Sequence, residues 1–261
     1  MPEELTITDA SCGYCGHGLD GRVYFCPSCA KPHRAMEIGL PASAPPFENI
    51  ETRLRTKAPE VWTVFFTFLS VMMVTGWIGL AVWGKDNFGA VMVMMSVALL
   101  VTTAACLCRY WDDVRPLLSV TGISTPAAWA GMAALVPLLA LNYGYHSILT
   151  DLLGADTDDT NSFFTAPLGP LVFICIMPAV VEEIAFRGII QHRLETAVGP
   201  WPAIGAASVV FSAAHFSPLS APYLALLGAL FGWMKWKTGS LYPPMLAHFT
   251  HNYIVVTWFD I

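Results

Sequence analysis

The chain has 261 residues, of which 55% are hydrophobic and only 12% are charged. A soluble domain carries about 25% charged residues, so this composition excludes an ordinary soluble protein and indicates a polytopic membrane protein. The net charge of −6 gives no reason to expect a nucleic-acid partner, and membrane lipids are the expected surroundings. We predict an all-α fold, a polytopic bundle of about seven membrane helices preceded by a small zinc-ribbon module.

The amino-terminal module is predicted from four clustered cysteines. Cys12 and Cys15 form one C-x-x-C pair, and Cys26 and Cys29 form a second pair ten residues further on. Each pair can supply two thiolates to one tetrahedral metal, so residues 10–32 resemble a zinc ribbon with a structural zinc. Iron or two disulfides are the alternatives. Such a module could dock a protein partner or cap the terminus, and residues 33–57 are predicted to be a linker.

Seven apolar segments are long enough to be considered as membrane spans. They cover residues 59–83, 88–108, 126–149, 167–186, 201–216, 221–236 and 241–259. Basic residues lie before the first segment and in alternate loops, namely Arg53, Arg55, Lys57, Arg109, Arg115, Arg187, Arg193, Lys235 and Lys237. The loop at 150–166 is acidic instead. Because positive charge marks the cytosolic side, we expect a cytosolic amino terminus and zinc ribbon, with the 150–166 loop outside.

The fourth apolar segment ends in three ionisable residues, Glu182, Glu183 and Arg187. A charge near the centre of a membrane span costs roughly 2.5–3.5 kcal/mol, so three of them are unexpected in a simple anchor. Glu183 and Arg187 are four residues apart on one helix face and can pair. Glu182 points about 100° away and is free for another task. A structural ion pair that locks two helices is the alternative interpretation.

Further polar residues lie in the fifth and seventh segments. His215 is in the fifth, and His248, His251 and Asn252 are in the seventh. Intramembrane polar groups must find protein partners because hydrocarbon offers none. The simplest joint solution is one polar cavity lined by Glu182, His215, His248 and Asn252, with His251 one step round the helix.

The depth of His215 poses a difficulty for this cavity. His215 lies about 21 Å along a straight helix that begins at Trp201, whereas Glu182 and His248 are close to the predicted cytosolic edge. The mismatch disappears if the fifth segment is tilted, or if the chain turns at Ser217-Pro218 inside the protein. We therefore predict an irregularity at this point, which is permitted where backbone lines a cavity.

Three motifs together resemble one protein family. In chain order they are EExxxR (Glu182, Glu183, Arg187), FxxxH (Phe211, His215) and HxxxN (His248, Asn252). This combination resembles the CPBP family, also called the Abi family, of CAAX-type endopeptidases and bacteriocin-processing intramembrane proteases. The resemblance covers roughly residues 120–260. It implies hydrolysis, near the cytosolic face, of a peptide bond in a peptide or protein substrate that can itself be membrane-anchored.

The resemblance also implies roles for individual residues. Glu182 would polarise a water molecule with help from His215, as in general base catalysis. His248 and Asn252 would stabilise the oxyanion of the tetrahedral intermediate.

By the same resemblance, Glu183 and Arg187 would orient Glu182. The resemblance leaves open whether a metal takes part in activating the water. The water could be activated by Glu182 alone, or a catalytic divalent metal could be held by Glu182, His215 and His248, since a carboxylate with two histidines is a known zinc set.

Two other classes of function compete with a protease. A non-proteolytic membrane immunity or scaffolding protein could retain the same pocket. A transporter could use intramembrane Glu and His residues as a proton relay, but the repeated halves expected of a transporter are not evident in the sequence. The intact set of motif residues favours an enzyme.

Overall fold

The computed structural model describes residues 12, 15, 26, 29, 50–153 and 168–259. Its first helices are α1 (Ile50–Trp83), α2 (Phe88–Arg109), α3 (Trp111–Val114) and α4 (Pro126–Leu153). Short 3₁₀ turns, Lys85–Asn87, Arg115–Leu117 and Val120–Ser124, join these helices. The predicted acidic loop at 150–166 falls almost entirely outside the described residues. The linker up to residue 49 also lies outside them, and so does the zinc-ribbon module apart from its four cysteines.

The second half of the bundle contains one long composite helix and three further helices. From Leu171 the chain is helical without interruption through a π-helical turn (Leu171–Ile176), α5 (Met177–Glu182), a second π-helical segment (Glu183–Gln191) and α6 (His192–Val198). The helices that follow are α7 (Pro200–Ala214), α8 (Ala221–Thr238) and α9 (Tyr242–Ile254), and α9 continues as a π-helical turn, Val255–Phe259.

The predicted all-α membrane fold is confirmed. Every regular element in the described residues is helical, and each of the seven apolar segments coincides with a helix. Three helical stretches there are long and apolar enough to cross a membrane by themselves, namely Thr52–Trp83, Lys85–Arg109 and Pro126–Ile148, and Pro200–Ala214 is a shorter apolar helix. The count of seven spans remains a prediction.

Helix α1 begins within the predicted linker at 33–57. Residues 50–57 form its first turns. The buried Arg53 donates to the carbonyl of Thr196 at 3.2 Å, which fixes this end of α1 against α6. The helix therefore extends beyond its apolar part because its polar first turns have protein partners.

A charged clamp joins the same helices two turns further along α1. Arg193 of α6 donates to Glu60 of α1 and to Asp113 of α3, and its guanidinium lies 4.6 Å from the ring centroid of Tyr110. Since three helices meet at this one arginine, the clamp holds α1 beside the composite helix. Apolar side chains then extend the contact, with Phe65 of α1 in the same buried cluster as Ile189.

The chain reverses direction sharply at both ends of α7. Gly199 precedes the helix with φ 85°, a conformation that favours glycine. At the other end the helix stops at Ala214, His215 is its cap, and Phe216 has φ 50°. A bulky residue in this region is uncommon. The irregularity predicted ahead of Ser217-Pro218 is thus confirmed, and His215 lies at a helix end.

Candidate active site

The composite helix carries the EExxxR motif in its most enclosed part. All nine residues of the π-helical segment Glu183–Gln191 are buried. π-helical turns are rare and frequently occur at functional sites. The carboxylate of Glu183 and the guanidinium of Arg187 are 0% and 1% exposed, respectively, so both charges depend entirely on protein partners.

Glu183, Arg187 and His248 form what we call the closed cluster. Arg187 Nη1 donates to Glu183 Oε1 at 2.8 Å, and His248 Nδ1 donates to the same oxygen at 2.9 Å. A carboxylate can only accept, so the Nδ1 of His248 carries a proton. The predicted pairing of Glu183 with Arg187 is confirmed, and the structure adds His248 as a second partner.

Two aromatic rings and one carbonyl complete the surroundings of the Arg187 guanidinium. Its carbon lies 4.3 Å from the ring centroid of Phe211 and 5.3 Å from that of Phe231, and Nη2 donates to the carbonyl of Gly228 at 3.2 Å. The ring of His248 also stacks on Phe231, at 5.2 Å. A buried charge is tolerated when it is paired and hydrogen-bonded in this way.

The pairing pattern continues along the composite helix at four-residue intervals. Gln191 Nε2 donates to Glu195 Oε1 at 2.8 Å and to the carbonyl of Gly232 at 2.9 Å. Lys235 Nζ donates to Glu195 Oε2 at 2.5 Å and lies 3.3 Å from His192 Nδ1. Gln191 and Glu195 were not among the residues predicted from the sequence. Polar residues at positions 183, 187, 191 and 195 share one face of a helix, and this spacing could have identified both residues from the sequence.

Two glycines of α8 allow this close approach. A Cβ atom on Gly232 would lie 2.7 Å from Gln191 Oε1, and one on Gly228 would lie 3.1 Å from the Cα of Ser208. A side chain at either position would force its neighbours to shift. Gly232 therefore lets α8 approach the composite helix, where carbonyls of α8 accept from Arg187 and Gln191, and Gly228 lets α8 approach α7.

Glu182 and His215 form what we call the open pair. Glu182 Oε2 lies 3.9 Å from His215 Nε2, and the side chains are 24% and 32% exposed. His215 Nδ1 bonds to the carbonyl of Phe211 at 2.8 Å, so this nitrogen is the protonated one. When the ring is neutral, Nε2 is an acceptor. Two acceptors thus face each other across a gap too wide for a direct hydrogen bond.

An apolar cavity of about 690 Å³ adjoins the open pair. It lies against α1 and α2, with walls that include Phe65, Met72 and Leu80 of α1 and Met95 of α2. Glu182 and His215 are its titratable lining groups. A polar pair at the margin of a mostly apolar cavity is the usual arrangement of a ligand site.

The last motif contributes a third group of polar contacts. Asn252 Nδ2 donates to the carbonyl of Ile174 at 2.9 Å, and Asn252 Oδ1 lies 2.9 Å from His251 Nδ1. His251 Nε2 lies 2.6 Å from the hydroxyl of Tyr223. Asn252 therefore joins α9 to the composite helix, eight residues before Glu182. Tyr223 was not among the site residues predicted from the sequence.

Phe211 connects the open pair to the closed cluster. Its ring lies 4.7 Å from that of His215 and 6.1 Å from that of His248. The predicted site residues are thus grouped on neighbouring faces of three helices, but as distinct sets. Glu182 faces His215, while His248 is held by Glu183.

The four amino-terminal cysteines can hold a metal ion. Their sulfur atoms all lie within 4.8 Å of one another, with Cys12 Sγ 3.6 Å from Cys29 Sγ and Cys15 Sγ 3.6 Å from Cys26 Sγ. Metal–sulfur bonds of about 2.3 Å in a tetrahedron give sulfur separations of about 3.8 Å. The donor set and its spacing therefore fit a four-coordinate metal.

The intramembrane residues do not assemble an equivalent set. Within residues 50–153 and 168–259, no three ligand atoms of His, Cys, Asp or Glu come together in this way. Glu182 and His215 could share an ion, and His248 keeps Nε2 for a further ligand because its Nδ1 is held by Glu183. The three-residue metal centre stays a prediction, and no chemical step is assigned to it.

A helical membrane bundle that places a Glu–His pair beside an apolar cavity has the features of an intramembrane hydrolase. The family described as "Type II CAAX prenyl endopeptidase Rce1-like" matches residues 164–254, about a third of the chain. The resemblance to CAAX-type intramembrane endopeptidases is thereby confirmed over that segment, and the long apolar helices agree with an integral membrane location.

A curated relative extends the similarity beyond that segment. "Uncharacterized protein YpbD" of Bacillus subtilis (strain 168) is 28% identical over 166 residues, which are 60% of this chain and 82% of YpbD. No solved structure matches the chain with statistical significance.

Proposed function

We propose that this protein hydrolyses a peptide bond of a lipid-anchored peptide, with the open pair activating the attacking water. The observation that carries the proposal is the geometry of Glu182 and His215 at the margin of the apolar cavity. Their facing acceptor atoms are 3.9 Å apart, and Glu182 Oε2 is enclosed without a hydrogen-bond partner. When the partly exposed side chains move apart to admit one water molecule, that water can donate one O–H to Glu182 and the other to His215. Its lone pairs then remain available for attack on the substrate carbonyl.

The charge that develops on the substrate would be stabilised from α9. His248 is held through Nδ1 by Glu183, which leaves Nε2 for the substrate. In its protonated form the imidazole donates from Nε2 to the oxyanion, and the buried carboxylate supports its positive charge. Asn252 has an amide N–H that can serve as a second donor. Glu183 and Arg187 position these groups.

The lining of the cavity supports a hydrocarbon anchor on the substrate. From Phe65 to Leu80 the cavity follows α1 for about 22 Å, and apart from Glu182 and His215 its walls are almost entirely apolar. An extended peptide would leave its backbone groups without partners in apolar surroundings. A lipid chain has no polar groups to satisfy and can lie along these walls.

A direct test uses the purified protein in lipid nanodiscs and an internally quenched peptide that ends in an S-prenylated CAAX sequence. We expect cleavage of the prenylated peptide, weak cleavage of the same peptide without the lipid, and none by Glu182→Gln. Equal cleavage of both peptides would contradict the hydrocarbon anchor. If wild type cleaves neither peptide and Glu182→Gln leaves the cellular phenotype intact, the non-proteolytic immunity or scaffolding role is correct.

The orientation follows from the distribution of basic residues, and we propose that the amino terminus and ribbon are cytosolic. On intact cells, Asp156→Cys should react with an impermeant thiol reagent, whereas Lys237→Cys should be protected. The reverse pattern, or equal labelling, would contradict this orientation.

We also propose that the four-cysteine site holds zinc and serves the structure of the ribbon, where it can dock a protein partner. The double substitution Cys12→Ser and Cys29→Ser in the full chain should remove bound zinc, because the tetrahedral set is broken. Cleavage of the lipidated peptide should persist, since no cysteine adjoins the open pair. Loss of cleavage in a protein that remains folded would show that the ribbon takes part in catalysis.

A further inference from the structure

The HxxxN motif of this chain encloses a second histidine, which the proposed mechanism does not use. His251 is 6% exposed and Tyr223 is 5% exposed. Their side chains and that of Asn252 form a continuous row of hydrogen bonds, with distances of 2.6 Å and 2.9 Å, that ends on the carbonyl of Ile174 at 2.9 Å. A buried row of this kind has few arrangements that satisfy every member.

The acceptor at the end of the row determines which atom of each other member carries the hydrogen. The carbonyl of Ile174 can only accept, so the atom of Asn252 that faces it is the amide nitrogen, and Oδ1 faces His251. Since Oδ1 also only accepts, the facing nitrogen of His251, Nδ1, carries the proton. In the neutral ring Nε2 is then an acceptor, and the Tyr223 hydroxyl donates to it.

From this row we infer that His251 and Tyr223 are positioning residues that hold the amide of Asn252 in one orientation. The inference rests on the proposed function, in which Asn252 donates to the oxyanion. One N–H of Asn252 is bonded to Ile174, and its second N–H is free for the substrate. An amide turned over by 180° would instead present lone pairs to the developing negative charge, and the donor would be lost.

Two substitutions separate this role from simple packing. In His251→Asn, the side-chain amide places its nitrogen near the position of Nδ1, so it can still donate to Asn252. In His251→Gln, the amide reaches the position of Nε2, so it can bond to Tyr223 but no longer holds Asn252. We expect His251→Asn to keep kcat within about threefold of wild type, and His251→Gln to lower kcat on the order of 10²-fold, as for loss of one oxyanion donor.

The assay uses the S-prenylated CAAX peptide and full-length protein in nanodiscs. KM should change little in both variants, because the row touches neither the cavity wall nor the open pair. In an Asn252→Ala background, His251→Gln should have no further effect on kcat, since it acts only through Asn252. The opposite ranking of the two variants, or additive losses in the double variant, would overturn the inference.

A measurement that needs no substrate distinguishes failure of this inference from failure of the proposed function. In ¹⁵N-histidine solid-state NMR of the protein in bilayers, the signal that disappears in His251→Asn should be that of a neutral ring protonated at Nδ1. The probe is the labelled protein itself. A proton on Nε2 would refute the row even if the enzyme is active. The expected tautomer in a protein that cleaves no peptide would leave the row intact and refute the enzymatic role.

Discussion

Glu182 and Glu183 are adjacent in the sequence, yet their surroundings differ in every respect that matters for chemistry. Glu183 is fully buried, and its Oε1 accepts from both Arg187 and His248. Glu182 is 24% exposed, reaches the apolar cavity, and faces a single histidine across 3.9 Å. The Oε2 atom of each carboxylate lacks a hydrogen-bond partner among the described residues.

This comparison shows what distinguishes a reactive carboxylate from a supporting one. The supporting carboxylate is buried and already accepts hydrogen bonds, whereas the reactive one is partly exposed and does not. In the closed cluster the charges of Glu183 and Arg187 neutralise each other, and Nε2 of His248 is the atom left for a substrate. The side chains of the open pair are partly exposed and line the cavity, and Glu182 Oε2 has no hydrogen-bond partner among the described residues. The comparison therefore predicts that substitutions in the open pair act on catalysis, whereas substitutions of Glu183 and Arg187 act first on stability.

The largest expected effect is the loss of activity in Glu182→Gln. An amide of the same shape cannot accept the proton of the attacking water, so cleavage of the lipidated peptide should fall at least 10³-fold, the upper part of the range for general base catalysis. The thermal midpoint should stay close to that of wild type, since Glu182 holds no buried charge. Activity near the wild-type value would contradict the assignment of Glu182 as the reactive carboxylate.

The next effect is a loss of stability in Glu183→Gln. Removing one partner from a buried ion pair costs about 3–5 kcal/mol, because the remaining charge of Arg187 is left uncompensated. We expect a clear decrease in the thermal midpoint in detergent, measured beside Glu182→Gln as the matched control. Equal midpoints for the two variants would show that the buried cluster does not stabilise the fold.

A smaller effect is expected from filling the cavity at Gly76. This residue lines the cavity, and the nearest atom to a Cβ built there is the sulfur of Met95 at 3.4 Å. Gly76→Leu should raise KM for the lipidated peptide about tenfold, with a smaller change in kcat. Gly205→Leu is the matched control, since Gly205 of α7 is exposed and has no atom within 4 Å of such a Cβ. Equal effects of both variants would argue against a lipid chain in the cavity.

Much of this arrangement could be predicted from the sequence. Apolar length located all seven helical segments, and four-residue spacing paired Glu183 with Arg187. Both signals are local, because helix periodicity relates residues within one element. The turn after His215 was also predictable, since a straight helix would have carried the histidine to the wrong depth.

What could not be predicted are the partners across helices. The sequence placed Glu182, His215, His248 and Asn252 in one cavity, and nothing in it indicated that His248 would turn to Glu183. That choice depends on how closely α8 and α9 approach the composite helix, which side-chain packing determines. The apolar cavity beside the open pair was not predicted for the same reason, since it arises where α1 and α2 pack against the composite helix.

The smallest predicted effect lies at His192 of α6, beside Lys235 and Glu195, and concerns pH. Burial lowers the pKa of His192 to about 4, and the positive charges of Lys235 and Arg193 lower it further. The negative charges of Glu195 and Asp113 oppose this by raising the pKa. In the unfolded chain the pKa is about 6.5. Between these values the unfolded state binds more protons, so stability increases with pH over this interval.

The protein should therefore lose stability as the pH falls from 7 to 5, by about 2 kcal/mol from this histidine alone. His192→Gln should remove that part of the decline, which is measured as the difference between the two thermal midpoints at each pH. The ratio of their kcat values at each pH should stay constant, because His192 contacts Lys235 and Glu195 and not the open pair. A pH-dependent difference in kcat between wild type and His192→Gln would show that the two regions are coupled during catalysis.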